Sequence, residues 1–348
     1  MNYRHSLTGF LLATVLWLAP VAESVAQSGG FAGSFSRIGF APRGMAMGNA
    51  MTAVNQEGVY GYYNPALSAQ RSDRIQIDLS SSAMRFDREL HMVNAHFQLP
   101  PSAGISVALI NGRVGNIDGR SNSGFDTGDL STNEFQILTN FAIRFSERVW
   151  GGIGIKFNLA DFHDETSTET GVGFDAGIRA ILMNGITFGV AVHDLFATYS
   201  TDTRDLFSTN AVARNNDFPT RLTFGLAGFP IKKLLVSADY EIQFLNAEIA
   251  NNSVNVSSGR PVVSSTREGV TNHAHHVRVG GSYRLHERFT LRSGLQLLDI
   301  DYDTAARPTA GFSIHLPFDR FSPSVDYAFM REPSGISSIH IFALRLNL

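Results

Sequence analysis

Residues 135–145 read FQILTNFAIRF, and the alternation in that stretch decides the fold. Phe135, Ile137, Phe141, Ile143 and Phe145 fall on one face of an extended chain, and Gln136, Asn140 and Arg144 fall on the other. Successive side chains of a strand point to opposite faces, so a period of two is a strand signature. A strand with one apolar and one polar face separates two environments.

The same alternation recurs along the chain. Val236, Ala238, Tyr240, Ile242 and Phe244 oppose Ser237, Asp239, Glu241 and Gln243, while Val277, Val279, Tyr283 and Leu285 oppose Arg278, Ser282 and Arg284. About fourteen such segments are predicted, near 73–84, 88–98, 103–112, 132–145, 148–162, 171–183, 186–199, 218–229, 233–245, 272–285, 288–300, 305–316, 321–331 and 336–347. A soluble sandwich would alternate too, with its apolar faces meeting in a core. The links argue against it. Short ones, such as Ser146-Glu147, Asn184-Gly185 and His286-Glu287, alternate with long polar ones at 113–131, 164–170, 200–217 and 246–271. An antiparallel transmembrane barrel with short turns at one end and long loops at the other has that rhythm. The expected fold is all-β, a transmembrane antiparallel β-barrel of about 14 strands.

Composition agrees. Only 17% of residues are charged, the net charge is −3 and Phe numbers 26, so the chain lacks the basic footprint of a nucleic-acid binder and suits strands facing lipid. With no cysteine there is neither a disulfide framework nor an acylated lipobox residue. Arg4 and His5 precede an apolar run at 7–20, LTGFLLATVLWLAP, and Ser24-Val25-Ala26 then offers a small-x-small cleavage site. Residues 1–26 are read as a signal peptide rather than an anchor helix, which would need about 20 apolar residues. Trp150, Phe229, Phe289, Phe318 and Phe321 lie beside short turns and are expected to form a periplasmic aromatic girdle, the alternative being the ordinary aromatic content of strands.

Residues 27–70 precede the barrel (71–348) and do not alternate. They are rich in Gly, Met and Ala and include the turn signal Asn64-Pro65, so they are expected to enter the lumen as a plug or hatch. Gly44 and Gly48 lack the residues of a phosphate loop and are read as close-packing positions.

The run Pro42-Arg43-Gly44-Met45-Ala46-Met47-Gly48-Asn49-Ala50, followed by Asn64-Pro65-Ala66-Leu67, resembles the opening of the PorV/PorQ family, within the wider FadL-like group of outer-membrane barrels. Phrases around Leu235 to Glu241, Val279 to Tyr283, Phe289 to Gly294 and Asp326 to Phe329 extend the likeness over the mature chain. The resemblance implies a fourteen-stranded barrel with an N-terminal plug-like segment, in which Pro42, Arg43, Gly44, Met45, Gly48, Asn64, Pro65 and Ala66 form the plug motif. The ending Leu344-Arg345-Leu346-Asn347-Leu348 departs from the terminal Phe of many outer-membrane barrels and is expected to bear on insertion rather than class.

No G-x-S-x-G or other catalytic motif appears, so a non-enzyme is expected, with no cofactor. His273, His275 and His276 cluster, but without a visible third ligand they are read as loop-edge histidines rather than a metal site. Asp78, Lys156, Asp175, Arg179, Asp239, Glu241, Arg278, Arg292 and Asp326 are expected to face the lumen and pair there. Three readings remain open, the blandest of them a structural barrel whose lumen is filled. By resemblance to PorV, the barrel would serve type IX secretion, meeting secreted proteins or a translocon through its long outer loops. Alternatively, it is a FadL-like channel for hydrophobic small molecules, with Phe31, Phe35, Phe40, Met45, Met47 and Met51 as apolar contacts. Each reading places it in the cell outer membrane among its lipids.

Overall fold

A strand with one apolar and one polar face cannot be stable alone in a bilayer, because its edges carry unpaired backbone groups; closing the sheet on itself removes them. The computed structural model of the chain describes residues 31–58, 61–70, 75–162, 167–183, 185–202, 213–257, 260–300, 305–316, 318, 322–332 and 337–348. The expected leader at 1–26, Asn184 of the Asn-Gly turn and Phe321 of the expected girdle lie outside the described residues.

The strands are β1 (Gln76–Met84), β2 (Arg88–Leu99), β3 (Ala103–Arg120), β4 (Asp126–Arg144), β5 (Val149–Asp161), β6 (Glu169–Met183), β7 (Ile186–Leu195), β8 (Thr198–Asp202), β9 (Ala213–Asp217), β10 (Thr220–Ile231), β11 (Leu234–Ser257), β12 (Arg260–His286), β13 (Phe289–Leu298), β14 (Ala305–His315), β15 (Ser324–Arg331) and β16 (Ser338–Asn347). Fourteen of them form a closed antiparallel barrel, each pairing with the next, with β7 passing to β10 and β16 returning to β1. The seam runs from Gln76↔Asn347 to Ser81↔Phe342, and Ile75 and Leu348 exchange backbone bonds of 3.2 and 2.9 Å below it. Both ends of the barrel sequence therefore meet at one rim. At that rim the β6 to β7 turn uses Gly185 at φ 83°, a conformation glycine adopts without steric penalty.

The two faces differ as the alternation requires. On β5, Ile153, Ile155 and Phe157 point outward and are exposed, while Lys156 and Asn158 point inward and are buried. Ile153 is 61% exposed and Phe342 58%, within a band that also includes Leu109, Phe141, Leu226 and Leu291. A continuous apolar belt of this kind is stable against lipid, not water.

Three sequence expectations need correction. The stretches read as polar loops at 113–131 and 246–271 are largely continuations of the ladder: β3 and β4 stay paired to Arg120↔Asp126, and β11 and β12 to Ser257↔Arg260. The apolar period ends where lipid ends, but backbone pairing does not need apolar side chains. At 24 and 27 residues, β11 and β12 far exceed the roughly 9–11 residues that cross a bilayer. Within the stretch read as the 200–217 loop, β8 and β9 pair with each other and touch β6 through Thr170↔Ser200. Trp150 is not part of an outer girdle. It shares the inward parity of Lys156, and the Arg179 guanidinium lies 4.7 Å over its ring. Phe289 does face outward, stacked on Phe312 at 6.0 Å.

Candidate functional site

Residues 31–58 and 61–70 make contacts with inward-facing residues of the barrel wall. Without a period of their own, these residues are held by specific bonds to the wall. A turn at Ser34–Arg37, a five-residue helix at Pro42–Ala46 with Pro in its first turn, and a turn at Pro65–Ala69 are its regular parts.

The helix docks against β13 to β16. Arg43 donates from Nε to Asp326 Oδ2 at 3.0 Å, from Nη2 to Ser324 Oγ at 2.7 Å and from Nη1 to the Glu57 carbonyl at 3.2 Å. Met45 is fully buried among Ala328, Met330, Ile339 and Ile341. Gly48 sits at φ 63° with its N–H donating to Thr309 Oγ1 at 3.0 Å; a Cβ there would lie 2.9 Å from the Leu295 and Val279 carbonyl oxygens. Gly44 packs so closely on Tyr63 that a Cβ would collide with its ring. Gly48 permits close approach to the wall and Gly44 close packing within the segment.

Asn64 secures the second half of the segment. Its Oδ1 accepts from Ala66 N at 3.0 Å, which starts the Pro65–Ala69 turn, while Nδ2 donates to the carbonyls of Thr52 at 2.9 Å and of Ile178 in β6 at 3.1 Å. Ser68 Oγ then meets Ser106 Oγ of β3 at 2.9 Å. Among the eight motif residues, Arg43, Met45, Gly48 and Asn64 touch the wall, at two separate places.

All nine charged strand residues point inward, and their partners are of two kinds. Lys156 Nζ bridges Asp175 at 2.9 Å and Asp194 at 2.7 Å; His193 Nδ1 is 2.8 Å from Asp175; Arg221 Nη2 reaches Asp194 at 2.7 Å, and Arg278 Nη2 reaches Glu241 at 2.8 Å. This network lines β5, β6, β7 and β10 to β12. The other charged residues mostly hold the lumenal segment. Asp239 accepts from Thr52 N at 3.0 Å and Thr52 Oγ1 at 2.7 Å, Arg292 Nε donates to Glu57 at 3.0 Å, and Asp326 takes Arg43. Asp78 pairs with Arg345, whose Nη1 and Nη2 donate to the Glu57 and Gly58 carbonyls at 2.7 and 3.0 Å. Burial alone would raise the Glu57 carboxyl, but Arg292 and Arg43 outweigh it and hold the group down at about 2. Burial pushes the Tyr63 hydroxyl well above its usual range.

Glu57, His193, Asp194, Arg221 and Arg345 were not singled out in the sequence. Arg221 and Arg345 share the inward parity of their strands and were findable by it; Glu57 lies in a stretch with no period to reveal it.

Away from the charge network, part of the inward face is apolar. Leu90 and Met92 of β2, Ile110 of β3 and Leu138 of β4 point inward and are buried against Phe35, Phe40, Met47 and Met51, forming one cluster. Ile339, Ile341 and Met330 continue it around β15 and β16 with Met45. The inward face of β2 to β4 and β15–β16 therefore carries an apolar patch beside the Asp78–Arg345 and Arg43–Asp326 pairs, and the segment presents its Met and Phe side chains to that patch. Of the clustered histidines, His276 points inward and accepts from Asp299 N at 2.8 Å; His273 packs edge-on to Phe244 and His275 stacks on Tyr240. Among the described residues, no group of three His, Asp or Glu is placed to hold a metal ion.

The sequence matches no protein-family model and no curated protein. The fold does have solved counterparts. The toluene transporter TodX of Pseudomonas putida aligns over 89% of this chain and 97% of its own, with a TM-score of 0.59 at 14% identity. The CymD monoaromatic hydrocarbon channel aligns over 89% and 97%, with a TM-score of 0.59 at 13% identity. A Pseudomonas aeruginosa FadL homologue aligns over 88% and 98%, with a TM-score of 0.58 at 10% identity. At these identities the likeness is one of fold: the chain has a FadL-like barrel.

Proposed function

We propose that the protein is an outer-membrane channel for hydrophobic small molecules, exported by its 1–26 leader and closed in this conformation by the lumenal segment acting as a plug. The observation that carries the reading is the apolar patch on the inward face of the wall. Barrel interiors are ordinarily polar, yet here Leu90, Met92, Ile110, Leu138, Met330, Ile339 and Ile341 make an inward-facing apolar wall covered by Phe35, Phe40, Met45, Met47 and Met51. Met side chains adapt to varied apolar shapes, so the same surface suits a ligand that displaces them. The similar barrels named above include a toluene transporter and a monoaromatic hydrocarbon channel, which speaks for this reading. Cells displaying the barrel in an outer membrane should take up a labelled monoaromatic hydrocarbon several-fold faster than cells without it, with unchanged uptake of a sugar. Equal hydrocarbon uptake by both would refute the assignment.

The second reading is the PorV/PorQ-type role in type IX secretion, with secreted proteins or a translocon as partners. The paired extensions of β3–β4 and β11–β12 favour it, because they project at the rim opposite the chain ends and offer surface to a large partner. It ranks below the channel reading because none of the barrels compared above is a secretion component.

A further inference from the structure

Pro230 interrupts β10 close to the rim that holds the chain ends. It has no N–H for the ladder, and the β10–β11 register shifts between Gly228 and Ile231. Beside this bulge the outward face carries only Gly228 and Ala238, between the larger Ile186, Leu226 and Val236. The result is an apolar groove of about 460 Å³ on the lipid-facing surface, with Phe229 at its end.

Phe229 also lines a second space. Just inside the rim lies a cavity of about 340 Å³ bounded by Lys232 and Lys233 of the β10–β11 turn, Arg284 of β12, and the Arg292–Glu57 pair. Within this set the Glu57 carboxylate is already engaged by Arg292. Among the described residues no ion pair involves Lys232, Lys233 or Arg284. An apolar groove and a cavity with excess positive charge thus share one aromatic wall, at the level where a bilayer changes from acyl chain to headgroup.

We infer that this rim binds one anionic lipid, with its acyl chain along the Ile186, Leu226 and Val236 groove and its anionic headgroup held by Lys232, Lys233 and Arg284 behind Phe229. The occupant is an anionic phospholipid, whose phosphate complements the three cations. The inference rests on the membrane-embedded reading of the barrel, but not on what the lumen transports. A resident lipid would seal the irregular stretch of wall that the Pro230 bulge creates, while the basic turn fixes the rim against the anionic component of the leaflet.

The test is native mass spectrometry of the full-length barrel released from nanodiscs containing phosphatidylethanolamine, phosphatidylglycerol and palmitate. Retention of phosphatidylglycerol over both phosphatidylethanolamine and palmitate supports the site; retention of palmitate instead would overturn the phospholipid assignment. The variants Lys232→Gln, Lys233→Gln and Arg284→Gln should each lower retention about fivefold, the expected loss per cation at a membrane surface. Ala238→Leu, which fills the groove from the lipid side, should lower it without altering charge. Equal retention of all three lipids, or variants that retain as the parent does, would overturn the inference. Heat-modifiable migration and insertion into vesicles report separately on whether the barrel is membrane-embedded.

Discussion

Glu57 illustrates how a single side chain couples the lumenal segment to the wall. Its carboxylate is bound by Arg292 from β13, and its carbonyl accepts from Arg43 of the segment and Arg345 of β16, so one residue joins the segment to two wall strands. Removing one partner of a buried pair leaves the other charge uncompensated, at a cost of about 3–5 kcal/mol. Arg292→Ala should therefore release the segment at neutral pH, measured as protease cleavage within 31–70 while the barrel itself stays resistant. The pH dependence has a definite sign. Because the Glu57 carboxyl is held at about 2, below its ordinary 4.5, its stabilising contribution is complete above about 4.5 and is lost as pH falls through about 2. In Glu57→Gln this acid-dependent part of segment release should disappear; an unchanged acid profile would mean that other carboxyls carry it.

At the scale of the element, the strands were legible because each membrane-length segment separates lipid from a polar or close-packed lumen, and the side-chain period records that contrast. Tyr240 and Gln243 test this within one strand. Tyr240 is 38% exposed on the outer face, whereas Gln243 is buried on the inner face, where its Nε2 donates to Glu241 at 2.8 Å. Tyr240→Arg should cost about 2–4 kcal/mol if it lies near the bilayer midplane and prevent assembly. Gln243→Arg should be accepted, as read by heat-modifiable migration on a gel. Equal tolerance of both would contradict the facing. Where the regular alternation ends, legibility ended as well: the stretch 246–271 carries no sustained apolar period and reads as a loop, although the ladder continues through it to Ser257↔Arg260. Trp150 misled for a related reason, since proximity to a turn says nothing about which face a residue occupies.

At the scale of the molecule, the lumen arises from contacts that no local pattern records. The inward positions of the nine wall charges followed from parity, but most of their partners did not, because Arg43 meets Asp326 across 283 residues and Glu57 meets Arg292 across 235. The apolar patch likewise assembles only when β2 to β4 and β15–β16 close around the Met and Phe residues of the segment. This patch is the basis for reading the barrel as a hydrophobic channel, and the reading requires the segment to move for anything to pass.

The most direct test exploits the absence of cysteine from the chain. Ser68 Oγ of the segment and Ser106 Oγ of β3 are 2.9 Å apart, so the double variant Ser68→Cys and Ser106→Cys should join segment to wall by a single disulfide, verified by mass. Hydrocarbon uptake by cells displaying this variant should be abolished when it is oxidised and should return to the parental rate on reduction. Uptake that is the same in both states would contradict a channel closed and opened by the lumenal segment.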